Sequence, residues 1–135
     1  MYAKKLTDAE HKMNRAFTNI LCNDVAQTAQ FYQDLLGFER TGDFGWFILL
    51  SHDGLPGFEL GVLQRDHETV PLGAAANPAG VILTFVVEDL DVIHHEAITR
   101  RVEIIQDPTD LPYGQRRLML RDPAGTLVDV SSPIK

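Results

Sequence analysis

Apolar positions along the chain change their spacing several times, and each change marks an element. Residues 15–23 (RAFTNILCN) read as a strand. Asp24 then stands as a helix N-cap. From Val25 to Leu36 the residues Val25, Ala29, Tyr32 and Leu36 recur at helical spacing, with Phe31 and Leu35 widening the stripe. Gly37 supplies the C-cap. Residues 38–41, 46–51 and 58–63 read as strands, punctuated by Gly42-Asp43, His52-Asp53-Gly54 and Pro56-Gly57. After a connection over 64–79 the order begins again. Residues 80–87 (GVILTFVV) form a strand rich in β-branched side chains, and 88–101 a helix with Leu90, Ile93 and Ala97 inside. Residues 102–106 form a strand, and 107–113 a loop on account of Pro108 and Pro112. Residues 116–121 form a strand, Asp122-Pro123-Ala124-Gly125 a turn, and 126–132 the last strand. Ahead of all this, the polar stretch 7–14 predicts a short helix begun by Thr7 or Asp8.

The pattern is βαβββ, twice. Asp24-Val25 and Asp89-Leu90 open the two helices at corresponding places, and Phe58-Glu59-Leu60 corresponds to Val128-Asp129-Val130. Such a repeat constrains architecture more than any single propensity. It predicts an α+β fold in one domain spanning 1–135, with a first module over about 15–64, a linker over about 65–79 and a second module over about 80–132. The two modules form a curved mixed sheet with the helices outside and a concave cleft on the open face.

Composition narrows the function. The 135 residues carry 12 Lys and Arg against 19 Asp and Glu, a net charge of −7. That balance argues against a phosphate-backbone binder, so no nucleic-acid partner is expected, and it suits a neutral or cationic ligand. No apolar run approaches the ~20 residues of a membrane helix, so no membrane partner is expected. The single cysteine, Cys22, allows no intrachain disulfide and reads as a packing residue; the charged N-terminus has no signal-peptide core, and the expected location is cytoplasmic.

Several short motifs, in this order and spacing, resemble the vicinal oxygen chelate superfamily, which includes glyoxalase I, the bleomycin-resistance proteins and the extradiol dioxygenases. They are Asn23-Asp24-Val25 with Phe31-Tyr32-Gln33-Asp34-Leu35-Leu36-Gly37-Phe38, then Val87-Glu88-Asp89-Leu90-Asp91, Pro112-Tyr113-Gly114-Gln115-Arg116 and Arg121-Asp122-Pro123-Ala124-Gly125. The resemblance runs from about residue 16 to 132. It implies a homodimer burying roughly 1,600 Å² or more. In metal-using members the resemblance implies four ligand places, one on the first and one on the last strand of each module. Here they fall on Phe17, Ile82, Glu59 and Asp129, so two of the four are apolar. Zn, Ni and Fe favour nitrogen as well as oxygen donors, and no metal or other cofactor is expected.

Strand alternation places Phe17, Asn19, Leu21, Glu59, Gly61, Leu63, Ile82, Thr84, Val86, Asp129 and Ser131 on the cleft face. Trp46, Phe47 and Tyr113 are aromatic residues near strand starts or loops, where they can cover a ligand; Trp46 reads equally as a packing residue or a dimer contact. Glu59 and Asp129 read either as recognition groups for a cationic or hydroxyl-bearing ligand, as an acid–base pair, or as structural partners of Arg116 or Arg117. Arg116 reads either as that internal partner or as an anchor for an anionic ligand group. The ligand-binding set expected is thus Glu59, Asp129, Phe17, Ile82, Trp46, Tyr113 and Arg116. The leading functional expectation is a metal-independent protein of bleomycin-resistance character that binds or sequesters an apolar-to-cationic small molecule. The alternatives are a metal-dependent lyase, isomerase or dioxygenase using Glu59 and Asp129, and a metabolite-binding module.

Overall fold

The structure is a computed structural model that describes residues 4–135. The element order is β1 (Thr18–Cys22), α1 (Val25–Leu36), β2 (Glu39–Asp43), β3 (Phe47–Ser51), β4 (Glu59–Gln64), β5 (Ile82–Val86), α2 (Leu90–Thr99), β6 (Glu103–Asp110), β7 (Gln115–Arg121) and β8 (Leu127–Pro133). The fold is α+β, in two tandem βαβββ modules.

Both helices start as the sequence predicts. The Asp24 carboxylate accepts from the Gln27 N–H at 3.0 Å, and the Asp89 carboxylate from the Asp91 N–H at 3.0 Å. Each thereby satisfies an N–H that the first helical turn leaves free. Their ends differ. Gly37 closes α1 in the left-handed region at φ 73°. After α2 the same reversal is made by Arg101 at φ 58°, with Val102 N–H bonded to the Ala97 carbonyl at 2.9 Å. A side chain in that conformation costs about 1 kcal/mol, which glycine avoids.

In place of one mixed sheet there are two four-stranded mixed sheets, ordered β1-β4-β3-β2 and β5-β8-β7-β6. In each, the first strand runs parallel to the last and the remaining neighbours are antiparallel. Residues paired directly across strands share a face. Leu118↔Val130 and Leu120↔Val128 therefore lie on one face of the second sheet, and Arg117↔Ser131 and Met119↔Asp129 on the other.

The helix-covered faces build one core shared by both modules. It includes Ile20, Tyr32, Leu35, Phe38, Ile48, Leu50, Leu60 and Val62 from the first module, and Phe85, Leu90, Ala97, Leu118, Leu120, Val128 and Val130 from the second. Across the seam, Phe85 meets Tyr32, Phe38 and Phe58 with ring centroids 6.4, 5.7 and 6.1 Å apart. The Tyr32 hydroxyl donates to Asp122 Oδ2 at 2.6 Å, and Arg100 pairs with Asp34 at 3.0 Å. Among the described residues no backbone hydrogen bond links the two modules.

Two sequence expectations are corrected. Residues 7–14 form no helix, only a turn over 8–11. Thr7 and Glu10 exchange reciprocal capping hydrogen bonds at 2.9 and 3.2 Å, but the segment is exposed and has no packed face to offset the cost of nucleating a helix. The loop expected at 107–113 is in part strand, because β6 continues through Asp107 and Pro108 to Asp110. Pro108 is tolerated since β6 is an edge strand and its register slips between Gln106 and Thr109.

Candidate functional site

The face of the first sheet opposite the core carries Asn19, Phe47, Leu49, Glu59, Gly61 and Leu63, as pairing of Gly61 with Asn19 and Leu49, of Leu63 with Phe47 and of Glu59 with Ser51 requires. Gly61 is the floor. A Cβ there would lie 2.0 Å from Asn19 Oδ1 and 2.8 Å from a Phe47 ring carbon, so the absence of a side chain lets both lie across the strand. Phe47 also meets Phe17 at 6.5 Å and stacks with Phe44 at 6.4 Å. Arg15 lies over the Phe17 ring at 5.0 Å and donates from Nε and Nη2 to the two Glu59 carboxylate oxygens, both at 2.6 Å. These hydrogen bonds hold the Glu59 carboxyl below the usual glutamate range and raise the Arg15 guanidinium in turn.

The open face of the second sheet is an array three strands wide. One row runs Thr84, Asp129, Met119 and the next Val86, Ser131, Arg117. Asp129 is only 9% exposed, and its two oxygens accept from Thr84 Oγ1 at 3.0 Å and Ser131 Oγ at 2.6 Å. Arg117 Nη2 donates to Gln106 Oε1 at 3.0 Å. Thr84 and Val86 also line a groove of about 480 Å³ at the seam between modules. Its other walls include Phe38, His52, Leu55 and Phe58. That volume lies in the range of small-molecule pockets.

The sequence-predicted residues meet different fates. Glu59 and Asp129 do lie on the open faces, but on separate sheets, each with its own partners. Neither is paired with Arg116 or Arg117; Arg15, Thr84 and Ser131 take those roles. Phe17 stands just before β1 and Ile82 opens β5, 41% and 51% exposed. Trp46 stacks on His67 with centroids 3.8 Å apart and planes 6° from parallel, so it packs against the connection between modules rather than over the cleft. Tyr113 sits on the β6–β7 turn, 70% exposed. Arg116 points to the helix-covered side, where it bonds Asp110 at 3.2 Å and approaches Asp91 at 3.6 Å, so it is no cleft anchor. Sequence reasoning missed Arg117 as a residue of the open face. Alternation from the apolar Leu118 and Leu120 was the signal for it. Nothing in the sequence announced Arg15, 44 residues from its partner Glu59.

The donor set at the four metal-ligand places does not fit a transition metal. Phe17 and Ile82 offer no donor atom, the Glu59 oxygens are gripped by Arg15, and both Asp129 oxygens are engaged by hydroxyls. Among the described residues no group of three or more His, Cys, Asp or Glu side chains is placed to hold a metal. Nor, among them, is any helix long and apolar enough to cross a membrane.

A search of solved structures returns the same architecture. A glyoxalase/bleomycin resistance protein/dioxygenase from Nocardioides is 19% identical, with a TM-score of 0.70 over 92% of this chain and 87% of that one. A glyoxalase/bleomycin resistance protein/dioxygenase family enzyme from Burkholderia phytofirmans PsJN is 21% identical, with a TM-score of 0.75 over 87% of this chain and 97% of that one. A protein of unknown function from Agrobacterium tumefaciens is 24% identical, with a TM-score of 0.71 over 91% and 96%. No curated protein matched the sequence. The family model for this fold matches residues 14–130, nearly the whole chain and both modules. The chain belongs to the glyoxalase/bleomycin resistance protein/dioxygenase superfamily.

Proposed function

We propose that the protein is a metal-independent small-molecule binding module that takes its ligand on the open sheet faces and in the groove at the seam. The observation that carries this reading is the donor set: two of four ligand places are apolar, and both remaining carboxylates already have partners on every oxygen. Arg15 balances the Glu59 charge, which removes the counter-charge a cationic ligand needs. The apolar part of the expectation therefore carries more weight, supported by Phe47, Phe58, Ile82 and Val86 around the groove and faces. Among the described residues four strand edges, β1, β2, β5 and β6, end without a ladder partner. Exposed edges are usually covered, which supports a two-fold dimer, to be read by sedimentation at micromolar concentration.

The test has two arms. Protein purified without chelator should contain well under one equivalent of Zn, Ni, Fe or Mn, and added Ni or Zn should give background glyoxalase turnover only. A thermal-shift screen of apolar, cationic and anionic small molecules should find compounds that raise the midpoint, since a ligand of the native state stabilises it by mass action. Stoichiometric metal with histidine coordination overturns the reading.

A further inference from the structure

The open face of the second sheet carries two buried polar atoms with no protein hydrogen-bond partner among the described residues: Arg117 Nε, a donor, and Gln115 Oε1, an acceptor. They lie two residues apart on β7, a strand that pairs with β8 without a register break, so both belong to the same face. Nearly all buried polar groups in folded proteins are satisfied, and each exception calls for an explanation. Arg117 has a sharper one to give. A guanidinium is always charged, and among the described residues its one hydrogen-bond partner is the neutral amide oxygen of Gln106. The other arginines of the second module's sheet, Arg116 and Arg121, each have a carboxylate. Among the described residues Arg117 has none, in a chain whose net charge is −7. Asp129, on the neighbouring row, is engaged by Thr84 and Ser131 instead.

We infer that Arg117 is the anchor for a small organic carboxylate, with Gln115 accepting from a donor on the same molecule. The inference rests on the binding-module reading above and names its ligand class. A carboxylate matches the planar fork: it meets the terminal nitrogens first, and a turn of the side chain brings Nε, covered in the ligand-free protein, to its second oxygen. Val86, Ser131 and Arg117 lie side by side on β5, β8 and β7. At a strand spacing of ~4.8 Å, Arg117 is then about 10 Å from Val86. Val86 lines the apolar groove with Leu55 and Phe58. A molecule with a carboxylate at one end, a hydroxyl beside it and an apolar body at the other spans this distance.

The probe is 3-phenyllactate, with its neutral amide and phenethylamine as controls, measured by calorimetry and thermal shift. The acid should bind at least tenfold tighter than either control. Arg117→Met should abolish the difference between acid and amide, and Arg117→Lys, a point charge without the fork, should keep only part of it. Equal binding of acid and amide, or an acid preference that survives Arg117→Met, overturns the inference. So does binding by phenethylamine alone, which leaves the binding-module reading standing, since that reading fails only on its own metal arm or on a ligand screen without hits. A ligand-free measurement adds a second arm. An arginine held for a ligand is not a scaffold element, so Arg117→Met without ligand should melt at the same temperature or higher. A fall of more than 5 °C assigns Arg117 to the scaffold and overturns the inference.

Discussion

Replacing Tyr32 with Phe removes one oxygen atom and, with it, the hydroxyl bond between the modules. Tyr32 is fully buried on α1 and Asp122 is 4% exposed in the turn before β8. Asp122 Oδ1 keeps its two backbone donors, Ala124 N–H at 2.9 Å and Thr126 N–H at 2.8 Å. Oδ2 loses the Tyr32 hydroxyl, held at 2.6 Å, and stays buried. A hydrogen bond to a charged group contributes about 1.5–3 kcal/mol, and an orphaned buried acceptor lies in the same range. The ring contacts to Phe31, Phe38 and Phe85 are retained, so no cavity term is added. The expected loss is about 2 kcal/mol. With an m-value of about 1.5 kcal/mol/M, typical of this size, the urea midpoint falls by ~1.3 M at unchanged slope. Tyr113→Phe, at a site 70% exposed, is the control and should leave the midpoint in place. A Tyr32→Phe loss under 0.5 kcal/mol would show that the hydroxyl does not hold the modules together.

Burial and the neighbouring Asp122 raise the Tyr32 hydroxyl well above its usual range. Its contribution is therefore complete below the unfolded tyrosine value of about 10 and is lost as pH rises above it. The steeper alkaline fall in stability of the wild type relative to Tyr32→Phe, followed by urea unfolding between pH 9 and 11, checks this. Glu59 behaves oppositely: Arg15 lowers its carboxyl, so its contribution is present above the ordinary glutamate value and is lost as pH falls through the lowered one. Arg15→Gln should return Glu59 to the ordinary range in a carbon-detected NMR titration. Arg101→Gly should raise stability by about 1 kcal/mol in urea by relieving the left-handed residue after α2. Gly61→Ala should lower it by about 1–3 kcal/mol, since Asn19 and Phe47 must both move, and adding Asn19→Ala should recover part of that.

What was legible in the sequence was local and periodic. The two aspartate caps, the glycine after α1 and the alternation of Leu118 and Leu120 each act within a few residues, and each is found where the pattern puts it. The duplication then supplied the fold class without any knowledge of long-range pairing. Interactions between distant residues were not legible. Arg15 reaches Glu59 across the first module, and Tyr32 reaches Asp122 across 90 positions. The pattern leaves Trp46 open between a ligand role and packing, because an aromatic at a strand start packs wherever the nearest flat partner lies, which is His67. Pro108 looked like a strand breaker because nothing local says that β6 is an edge.

The seam between the two sheets has a mechanical consequence. Each half is knitted by backbone ladders, which resist both stretching and shear. The halves themselves are joined by the shared side-chain core, the Tyr32–Asp122 bond and the Arg100–Asp34 pair, with no ladder across among the described residues. The seam is thus held by side-chain contacts alone, whereas each half also has its backbone ladders. Reshaping the groove beside Phe58 and Val86 to suit an occupant would therefore cost repacked side chains and not broken strand hydrogen bonds.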